Sequence, residues 1–364
     1  MRVNLLLLLA VTELALSQQN SVPLFRSESN LVPIEVQVVD RNTRQPVAGL
    51  TRDDFEVFDE GERKEIVAFD DGSGPRDVAL LLDVSGGPIN EGVIFAAKAL
   101  LGLQRPEDRL ALLSFSDGAA ELRAPLTDDE RRIEQALYQV FTRDRRRATK
   151  NSRLLDAIRS AEKILADTAV PRRPLIIAVT HNREKNSKTR QEDLIRSLLK
   201  RSIRLEALTI PQEWPSSTPY RGRIVGNPSL GFPTVGPPEP PPPAPPTFLD
   251  NLHSVEPVAA ATGGQTIHLD YANARRAASP DETGRTWNVA TIASVIETEI
   301  LARFREEYGL AIRGASSPEP KFRRLVVKLS PEAERRYPDA VVYARSGYYS
   351  SQPDNSTSQE NRKQ

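Results

Sequence analysis

Residues 77–90 read DVALLLDVSGGPIN, an apolar run that ends in an acid, a hydroxyl and two glycines. The unbroken apolar stretch Val78–Leu82 is typical of a parallel strand that is buried on both faces. Pro88 is a favoured residue for a first helical turn, so the pattern predicts that a helix follows the strand. Asp83 and Ser85 therefore lie at the carboxyl end of a strand, where open α/β sheets bind their ligands.

Strand and helix patterns alternate along the chain after this run. Further buried strands are predicted at residues 109–115, 174–180 and 203–210, with helical patterns between them. This alternation predicts an α/β fold with a Rossmann-like, doubly wound and mostly parallel sheet, which we place at residues 76–304. Residues 214–247 interrupt the pattern with a run of prolines and are predicted to form an extended surface insertion. A docking peptide for a partner is the alternative role of this insertion.

Short strand patterns stand at both ends of the chain, outside the α/β region. Residues 32–70 contain four of them, and residues 305–350 contain three, the last at residues 340–349. Four strands alone would leave an open edge and a thin core. We therefore predict that the two segments combine into one immunoglobulin-like β-sandwich. The polar tail at residues 351–364 is predicted to be disordered.

The amino-acid composition argues against several classes of function. Lysine plus arginine and aspartate plus glutamate both number 49, and this balance argues against a nucleic-acid partner. The absence of cysteine excludes disulfides, thiolate metal sites and cysteine nucleophiles. Motifs such as Gly-x-Ser-x-Gly and His-Glu-x-x-His do not occur, so the sequence predicts no catalytic site.

Residues 1–17 have a charged start, a short apolar core and a small-x-small ending, which together predict a secretory signal peptide. The apolar core is too short to span a bilayer, and no later stretch is apolar enough to do so. We therefore expect an exported protein, either secreted or periplasmic, that does not insert into a membrane.

The sequence at the predicted strand ends resembles the metal-site motifs of von Willebrand factor type A domains. In that family, three loops supply oxygen ligands to a small divalent cation. The first motif of the family is Asp-x-Ser-x-Ser. This chain provides Asp83 and Ser85 but has Gly87 in place of the second serine.

The other two motifs also depart from the family pattern. The second usually reads Gly-Gly-Thr-x-Leu-x-Asp-Ala, whereas residues 150–157 read KNSRLLDA, with Ser152 at the threonine position. The third usually reads Thr-Asp-Gly, and here Thr180 is followed by His181, so an imidazole replaces a carboxylate. The resemblance therefore implies a degenerate metal site, whose remaining ligands are Asp83, Ser85, Ser152 and His181.

Magnesium prefers oxygen ligands in octahedral geometry, so the loss of a carboxylate should lower its affinity. We expect no bound cofactor. A divalent cation, either Mg²⁺ or the more imidazole-tolerant Mn²⁺ or Zn²⁺, is the alternative. Without a metal, Asp83 and Ser85 would cap the following helix, and His181 would be a loop histidine that pairs with Asp83.

Basic residues crowd the predicted second loop, where residues 143–147 read RDRRR. Such a run is typical of a solvated surface. The alternative is that Arg145, Arg146 and Arg147 contact an anion or an acidic partner beside the metal site.

Beyond the three loops, the mature chain is similar to the von Willebrand factor A-related family that is common in Acidobacteria. The similarity lies in residues 38–57, which begin VVD and end PVAGLTRDDFEV, and in residues 261–264 (ATGG), 308–310 (YGL) and 345–349 (RSGYY), which occur in the order of the family. It implies an exported protein whose A domain binds other proteins.

These features together predict a secreted, non-enzymatic module for protein binding or adhesion. Its partner is predicted to be another protein, bound without a metal by the loops that carry Asp83, Ser85, Arg145–Arg147, Ser152 and His181. Adhesion that depends on a divalent metal, with His181 as an unusual ligand, is the first alternative. The second is a structural or assembly module of the cell envelope, in which the sandwich or the proline-rich segment makes the contacts.

Overall fold

The computed structural model describes residues 30–85, 91–102, 104–143, 149, 152–166, 172–210, 224–226, 233–235, 255–268, 304 and 306–352. Several predicted features lie outside these ranges: the signal peptide, Gly87, Arg145–Arg147, most of the insertion at residues 214–247 and most of the polar tail. Within the described ranges, no helix is long and apolar enough to cross a membrane.

The described elements follow one another in this order: β1 (Leu31–Asp40), β2 (Phe55–Asp59), β3 (Glu62–Lys64), β4 (Ile66–Asp70), β5 (Arg76–Asp83), α1 (Glu91–Leu101), β6 (Arg109–Phe115), β7 (Glu121–Thr127), α2 (Glu130–Arg143), α3 (Leu154–Ala166), β8 (Arg173–Thr180), α4 (Gln191–Lys200), β9 (Arg204–Thr209), β10 (Ile224–Gly226), β11 (Pro233–Val235), α5 (Glu256–Thr262), β12 (Thr266–His268), β13 (Tyr308–Arg313), β14 (Phe322–Leu329), α6 (Pro331–Arg336), β15 (Ala340–Ala344) and β16 (Gly347–Tyr349).

The predicted α/β fold is confirmed. Six strands form one sheet in the order β12-β9-β8-β5-β6-β7. The four pairs from β12 to β6 are parallel, and the edge strand β7 pairs antiparallel with β6. The carboxyl ends of the five parallel strands therefore meet at one end of the sheet. The loops that follow β5 and β8 share that end.

Strand β5 passes through the middle of this sheet and is buried along its whole length. Because side chains alternate between the two faces of a strand, Val78, Leu80 and Leu82 pack on the side of α1 and α2. Ala79 and Leu81 pack on the opposite side, with α3, α4 and α5. Burial on both faces explains the unbroken apolar sequence of β5.

The predicted β-sandwich forms from both ends of the chain. Strand β1 pairs antiparallel with β13 and β15, and β2 pairs antiparallel with β14. Two four-stranded sheets, β15-β1-β13-β4 and β16-β14-β2-β3, enclose an apolar core that includes Ile34, Val57 and Leu325. The last C-terminal pattern, residues 340–349, is wrong as a single strand. Because β15 pairs with β1 and β16 pairs with β14, the chain changes sheets between Ala344 and Gly347.

A buried network of charges joins the sandwich to the α/β domain. Glu307 precedes β13 and is only 1% exposed. Its carboxylate accepts hydrogen bonds from Gln37 of β1 at 3.1 Å, from Arg173 of β8 at 3.3 Å and from Arg204 of β9. Arg204 also pairs with Glu35 of β1 at 3.1 Å. Since Arg173 and Arg204 begin their strands, the network lies at the end of the sheet opposite to Asp83.

Arg345, where the chain changes sheets, forms a second link between the domains. Its guanidinium donates to the carbonyl oxygens of Gly347 and Pro33 in the sandwich. It also donates to the carbonyl oxygen of Leu199 in α4 and to the hydroxyl of Ser202. Burial lowers the pKa of Arg345 to about 10, and the negative charge of Glu35 opposes this shift.

Candidate binding face at the carboxyl ends of the strands

Asp83 lies at the end of β5, and its side chain is completely buried. Its Oδ1 atom accepts a hydrogen bond from the backbone N–H of Ser85 at 3.0 Å. Its Oδ2 atom accepts hydrogen bonds from the hydroxyl of Thr180 at 2.9 Å and from the backbone N–H of His181 at 3.2 Å. Both carboxylate oxygens therefore have donors within the chain, and Asp83 joins the first loop to the third. The predicted start of the following helix, at Pro88, lies outside the described residues, so the helix cap by Asp83 and Ser85 stays a prediction.

Ser85 and Ser152 join the second loop to the other two. The carbonyl oxygen of Ser85 accepts a hydrogen bond from the N–H of Thr149 at 2.8 Å. Ser152 is buried, and its N–H and its hydroxyl donate to the carbonyl oxygen of Arg183 at 3.0 and 3.3 Å. The carbonyl oxygen of Ser152 accepts from the N–H of Lys185 at 2.9 Å. The three predicted loops are therefore hydrogen-bonded to one another.

The ring of His181 points toward the end of β9. Its Nδ1 atom lies 3.0 Å from the carbonyl oxygen of Ile210. Because a carbonyl oxygen can only accept, Nδ1 carries the proton. The expected pairing of His181 with Asp83 is made by the backbone N–H and not by the ring. In the neutral ring, Nε2 has the lone pair that a metal would need.

Two acids hold the second and third loops together. Glu184 of the third loop accepts a hydrogen bond from the N–H of Leu155, in the first turn of α3, at 2.9 Å. Asp156 of α3 accepts hydrogen bonds from the N–H groups of Lys188 at 3.1 Å and Thr189 at 2.8 Å. A carboxylate near a helix N-terminus is favourable because it satisfies otherwise unpaired N–H groups. Glu184 of the third loop therefore holds the first turn of α3, and Asp156 of α3 holds the third loop.

Asp156 should contribute stability that depends on pH. Burial acts to raise its pKa, but hydrogen bonds from Thr189, Lys188 and Arg153 outweigh burial and hold the pKa below its usual value. A carboxyl group with a lowered folded-state pKa stabilises the fold above its unfolded pKa, and this contribution is lost as the pH falls through the folded value. We expect Asp156→Asn to lower the free energy of unfolding by about 1–3 kcal/mol at neutral pH. Urea unfolding is measured at neutral pH and below about pH 4. The free energy of unfolding should fall less between these two pH values in the variant than in the natural chain.

Asp193→Asn is the matched control for this measurement. Asp193 is about half exposed and pairs with Arg196 at 3.4 Å on α4. Exposed pairs of this kind stabilise little, so the control should lose less than about 0.5 kcal/mol. Equal losses in the two variants would contradict the role assigned to Asp156.

The structure brings Asp83, Ser85, Ser152 and His181 to one end of the sheet, where the first three are buried. We call the three loops that carry these residues the binding face. That a ligand binds there stays a prediction. Gly87 and Arg145–Arg147 lie outside the described residues. In the described part of the chain, no three His, Asp or Glu side chains are grouped closely enough to hold a metal ion.

One polar cluster at this end of the sheet was missed by sequence reasoning. The Oγ1 atom of Thr209 lies 2.7 Å from Nδ1 of His268, and Nε2 of His268 lies 3.3 Å from a carboxylate oxygen of Glu256. Thr209 and His268 are partners in the parallel pair β9–β12 and are the last residues of both strands. Their position at two strand ends was the signal available in the sequence. Since Thr209 is only 7% exposed, its hydroxyl is placed to hold the edge strand rather than to attack a substrate.

Comparisons with known proteins agree with the fold. The family model described as von Willebrand factor type A domain matches residues 78–188. Comparison with curated proteins gives no match. The matched region begins in β5 and ends in the loop after β8, so it contains the first two loops of the binding face and most of the third.

Several solved structures are similar to the chain at low sequence identity. A von Willebrand factor type A protein from Catenulispora acidiphila is 11% identical over 92% of this chain and 76% of its own, with a TM-score of 0.41. The manganese-loaded TRAP protein from Plasmodium vivax is 14% identical over 76% of this chain and 98% of its own, with a TM-score of 0.37. An aerotolerance-related membrane protein from Bacteroides fragilis is 16% identical over 55% of this chain and 94% of its own, with a TM-score of 0.36. Together, the family match and the sheet topology support a von Willebrand factor type A domain within residues 78–188.

Proposed function

We propose that the protein is an exported, non-enzymatic module that binds another protein through its binding face and needs no metal ion to do so. The observation that carries this proposal is the hydrogen bonding of the expected metal ligands. Both oxygens of Asp83 and the hydroxyl of Ser152 are engaged by groups of the chain itself. Protein binding and adhesion are the common roles of type A domains, which supports a protein as the partner.

The residues present do not fit Mg²⁺. This ion needs a near-octahedral set of oxygen ligands and gives up its water reluctantly. To bind Asp83, it would have to compete with hydrogen bonds from Ser85, Thr180 and His181. The third motif offers an imidazole instead of a carboxylate, and imidazole is a poor ligand for this ion. These features support a degenerate site and binding without a metal.

The proposed location of the protein, outside the cytoplasm, is inferred from its sequence. The segment at residues 1–17 supports export, and the module would then act in the periplasm or outside the cell. The resemblance to an exported family common in Acidobacteria agrees with this assignment. In the envelope-module alternative, the binding face would be idle and the sandwich would make the contacts.

Thermal unfolding with metal ions tests the metal-free part of the proposal. We expect no change in the unfolding midpoint of the mature protein when EDTA or excess Mg²⁺, Mn²⁺, Ca²⁺ or Zn²⁺ is added. An ion that bound only the folded state would add about 2.7 kcal/mol at a hundred times its dissociation constant, which is readily measured. A shift that disappears in Asp83→Ala would support the metal-dependent alternative, with His181 as a ligand.

Capture of exported proteins tests the use of the binding face. The immobilised mature chain is incubated in EDTA with exported proteins from its source. We expect capture to be lost when Arg145, Arg146 and Arg147 are each changed to Glu together with His181→Ala. The control set reverses the charge of three exposed residues, Lys98, Arg131 and Lys163. Capture that survives the face variant as well as the control set would support the envelope module instead.

A further inference from the structure

The third loop, between β8 and α4, carries four cationic side chains: Arg183, Lys185, Lys188 and Arg190. Arg183 is half-buried, and the other three are exposed. None of the four forms an ion pair with another residue in the described part of the chain. The loop therefore presents positive charge to the solvent beside Asp83, in a chain whose total formal charge is zero.

The acids that belong to this region do not neutralise those charges. Glu184 points back to the N–H of Leu155 in α3. Asp156 pairs with Arg153 and holds the backbone of the third loop. Glu192 and Asp193, in the first turn of α4, and Asp117, after β6, are exposed at the same end of the domain, and Asp193 pairs with Arg196. The four loop cations outnumber these three acids, one of which is already paired, so the surface keeps an excess of positive charge.

The backbone of this loop is held in one arrangement. Ser152 hydrogen-bonds to the carbonyl oxygen of Arg183 and to the N–H of Lys185. Asn182 has a left-handed φ of 52°, and its N–H donates to the hydroxyl of Thr180 at 2.9 Å. A loop that is ordered before binding loses less conformational entropy when a partner arrives. The cations are therefore displayed at fixed backbone positions.

We propose that the third loop is a docking platform for an acidic segment of a partner protein. The carboxylates of that segment would bind Arg183, Lys185, Lys188 and Arg190, which supply the positive charge that a metal supplies in other domains of this fold. Lysine and arginine donors form charge-assisted hydrogen bonds with carboxylates. The inference rests on the proposed function and adds the chemistry of the partner.

The composition of the loop favours a protein partner over other polyanions. Residues 181–190 read HNREKNSKTR and contain no aliphatic side chain and no phenylalanine, tyrosine or tryptophan. Binding to an anionic lipid surface uses apolar side chains together with basic ones. Binding to single-stranded nucleic acid uses aromatic side chains on which the bases stack. The platform offers charge and hydrogen-bond donors alone, which fit an acidic peptide.

A peptide of alternating glutamate and glycine is the probe for this inference. Its dissociation constant is measured by fluorescence anisotropy with the mature protein in EDTA. We expect binding to weaken as salt is added, because exposed charges are screened over about 10 Å at 0.1 M salt. Changing Lys185, Lys188 and Arg190 together to Glu should weaken binding by about tenfold or more. The control set at Lys98, Arg131 and Lys163 changes the formal charge equally and should alter the dissociation constant by less than about twofold.

Several outcomes would overturn the platform: no binding of the peptide, equal weakening by the two sets of substitutions, or tighter binding to an oligonucleotide or to phosphatidylserine vesicles. Thermal unfolding of both variants shows whether they keep their fold.

The capture experiment separates this inference from the proposed function. If the Arg145–Arg147 and His181 variant abolishes capture but the platform substitutions change neither capture nor peptide binding, only the platform fails. If the peptide binds the platform but capture survives both the face variant and the platform substitutions, the proposed use of the binding face fails.

Discussion

Glu307→Ala is expected to lower the free energy of unfolding by about 3–5 kcal/mol. The carboxylate of Glu307 is buried and accepts hydrogen bonds from Arg173 and Arg204. Its removal leaves two guanidinium groups without this partner where water cannot replace it, and Gln37 also loses its acceptor. Urea unfolding at neutral pH measures the loss.

Glu306→Ala is the control, because Glu306 is the neighbouring glutamate and is exposed. A surface substitution of this kind should change stability by less than about 0.5 kcal/mol. Since Glu307 joins β1 of the sandwich to β8 and β9 of the α/β domain, calorimetry should also show that the two domains unfold less cooperatively in Glu307→Ala. Similar losses in both variants would mean that the buried network does not stabilise the contact between the domains.

The same network should make this contact sensitive to acid. Burial acts to raise the pKa of Glu307, but the positive charges of Arg204, Arg173 and Arg76 outweigh it and lower the pKa. The stability that depends on this charge is therefore present above the unfolded pKa and is lost as the pH falls through the folded value. We expect the unsubstituted protein to lose this stability in acid and Glu307→Ala to show a smaller loss.

The sequence predicted the fold because its apolar patterns depend on local periodicity. The run Val78–Leu82 is continuous because both faces of β5 are covered, and the alternation at the start of β1 places every second residue in the core of the sandwich. The pairing of the two chain ends followed from the incomplete core that each would have alone. The network around Glu307 had no comparable signal, since Gln37 and Glu307 are 270 residues apart. A polar residue within a strand pattern is usually exposed, and its burial becomes visible only when two domains are placed together.

For the candidate site, too, the sequence predicted the positions of the loops but not the contacts between them. Short motifs identified three loops, and the structure joins these loops through Asp83, Ser85 and Ser152. The roles of Glu184 and Asp156 could not be inferred, because they depend on where backbone N–H groups of another loop point. The left-handed backbone of Asn182 could not be inferred either, because no sequence motif specifies it. For this reason the sequence suggested that the ring of His181 pairs with Asp83, whereas the backbone makes that contact.

Rebuilding the family motifs is expected to create a magnesium site, in which two added oxygen ligands offset the hydrogen bonds that now occupy Asp83. The double variant Gly87→Ser with His181→Asp restores the hydroxyl of the first motif and the carboxylate of the third. Both changes add oxygen ligands, which Mg²⁺ prefers, beside the existing Asp83 and Ser85. At a hundred times the new dissociation constant, Mg²⁺ should stabilise the double variant by about 2.7 kcal/mol, and EDTA should reverse the effect. Without metal the variant should be less stable than the natural chain, because it lacks the hydrogen bond from His181 to Ile210 and gains a carboxylate near Asp83.

Two further variants make this experiment specific to the proposed site. Adding Asp83→Asn to the double variant should abolish the response to Mg²⁺, since it removes the central carboxylate. The response of each protein is the shift of its unfolding midpoint from the value without metal. His181→Asp alone should respond more weakly, because the first motif still lacks a hydroxyl at residue 87. A response of the same size in the natural chain would show that His181 is tolerated as a ligand and that the face binds partners through a metal. If the double variant does not respond, the lost ligands are not what prevents binding. The hydrogen bonds from Ser85, Thr180 and His181 to Asp83 would then be the obstacle, because they occupy the carboxylate in every variant that keeps this backbone.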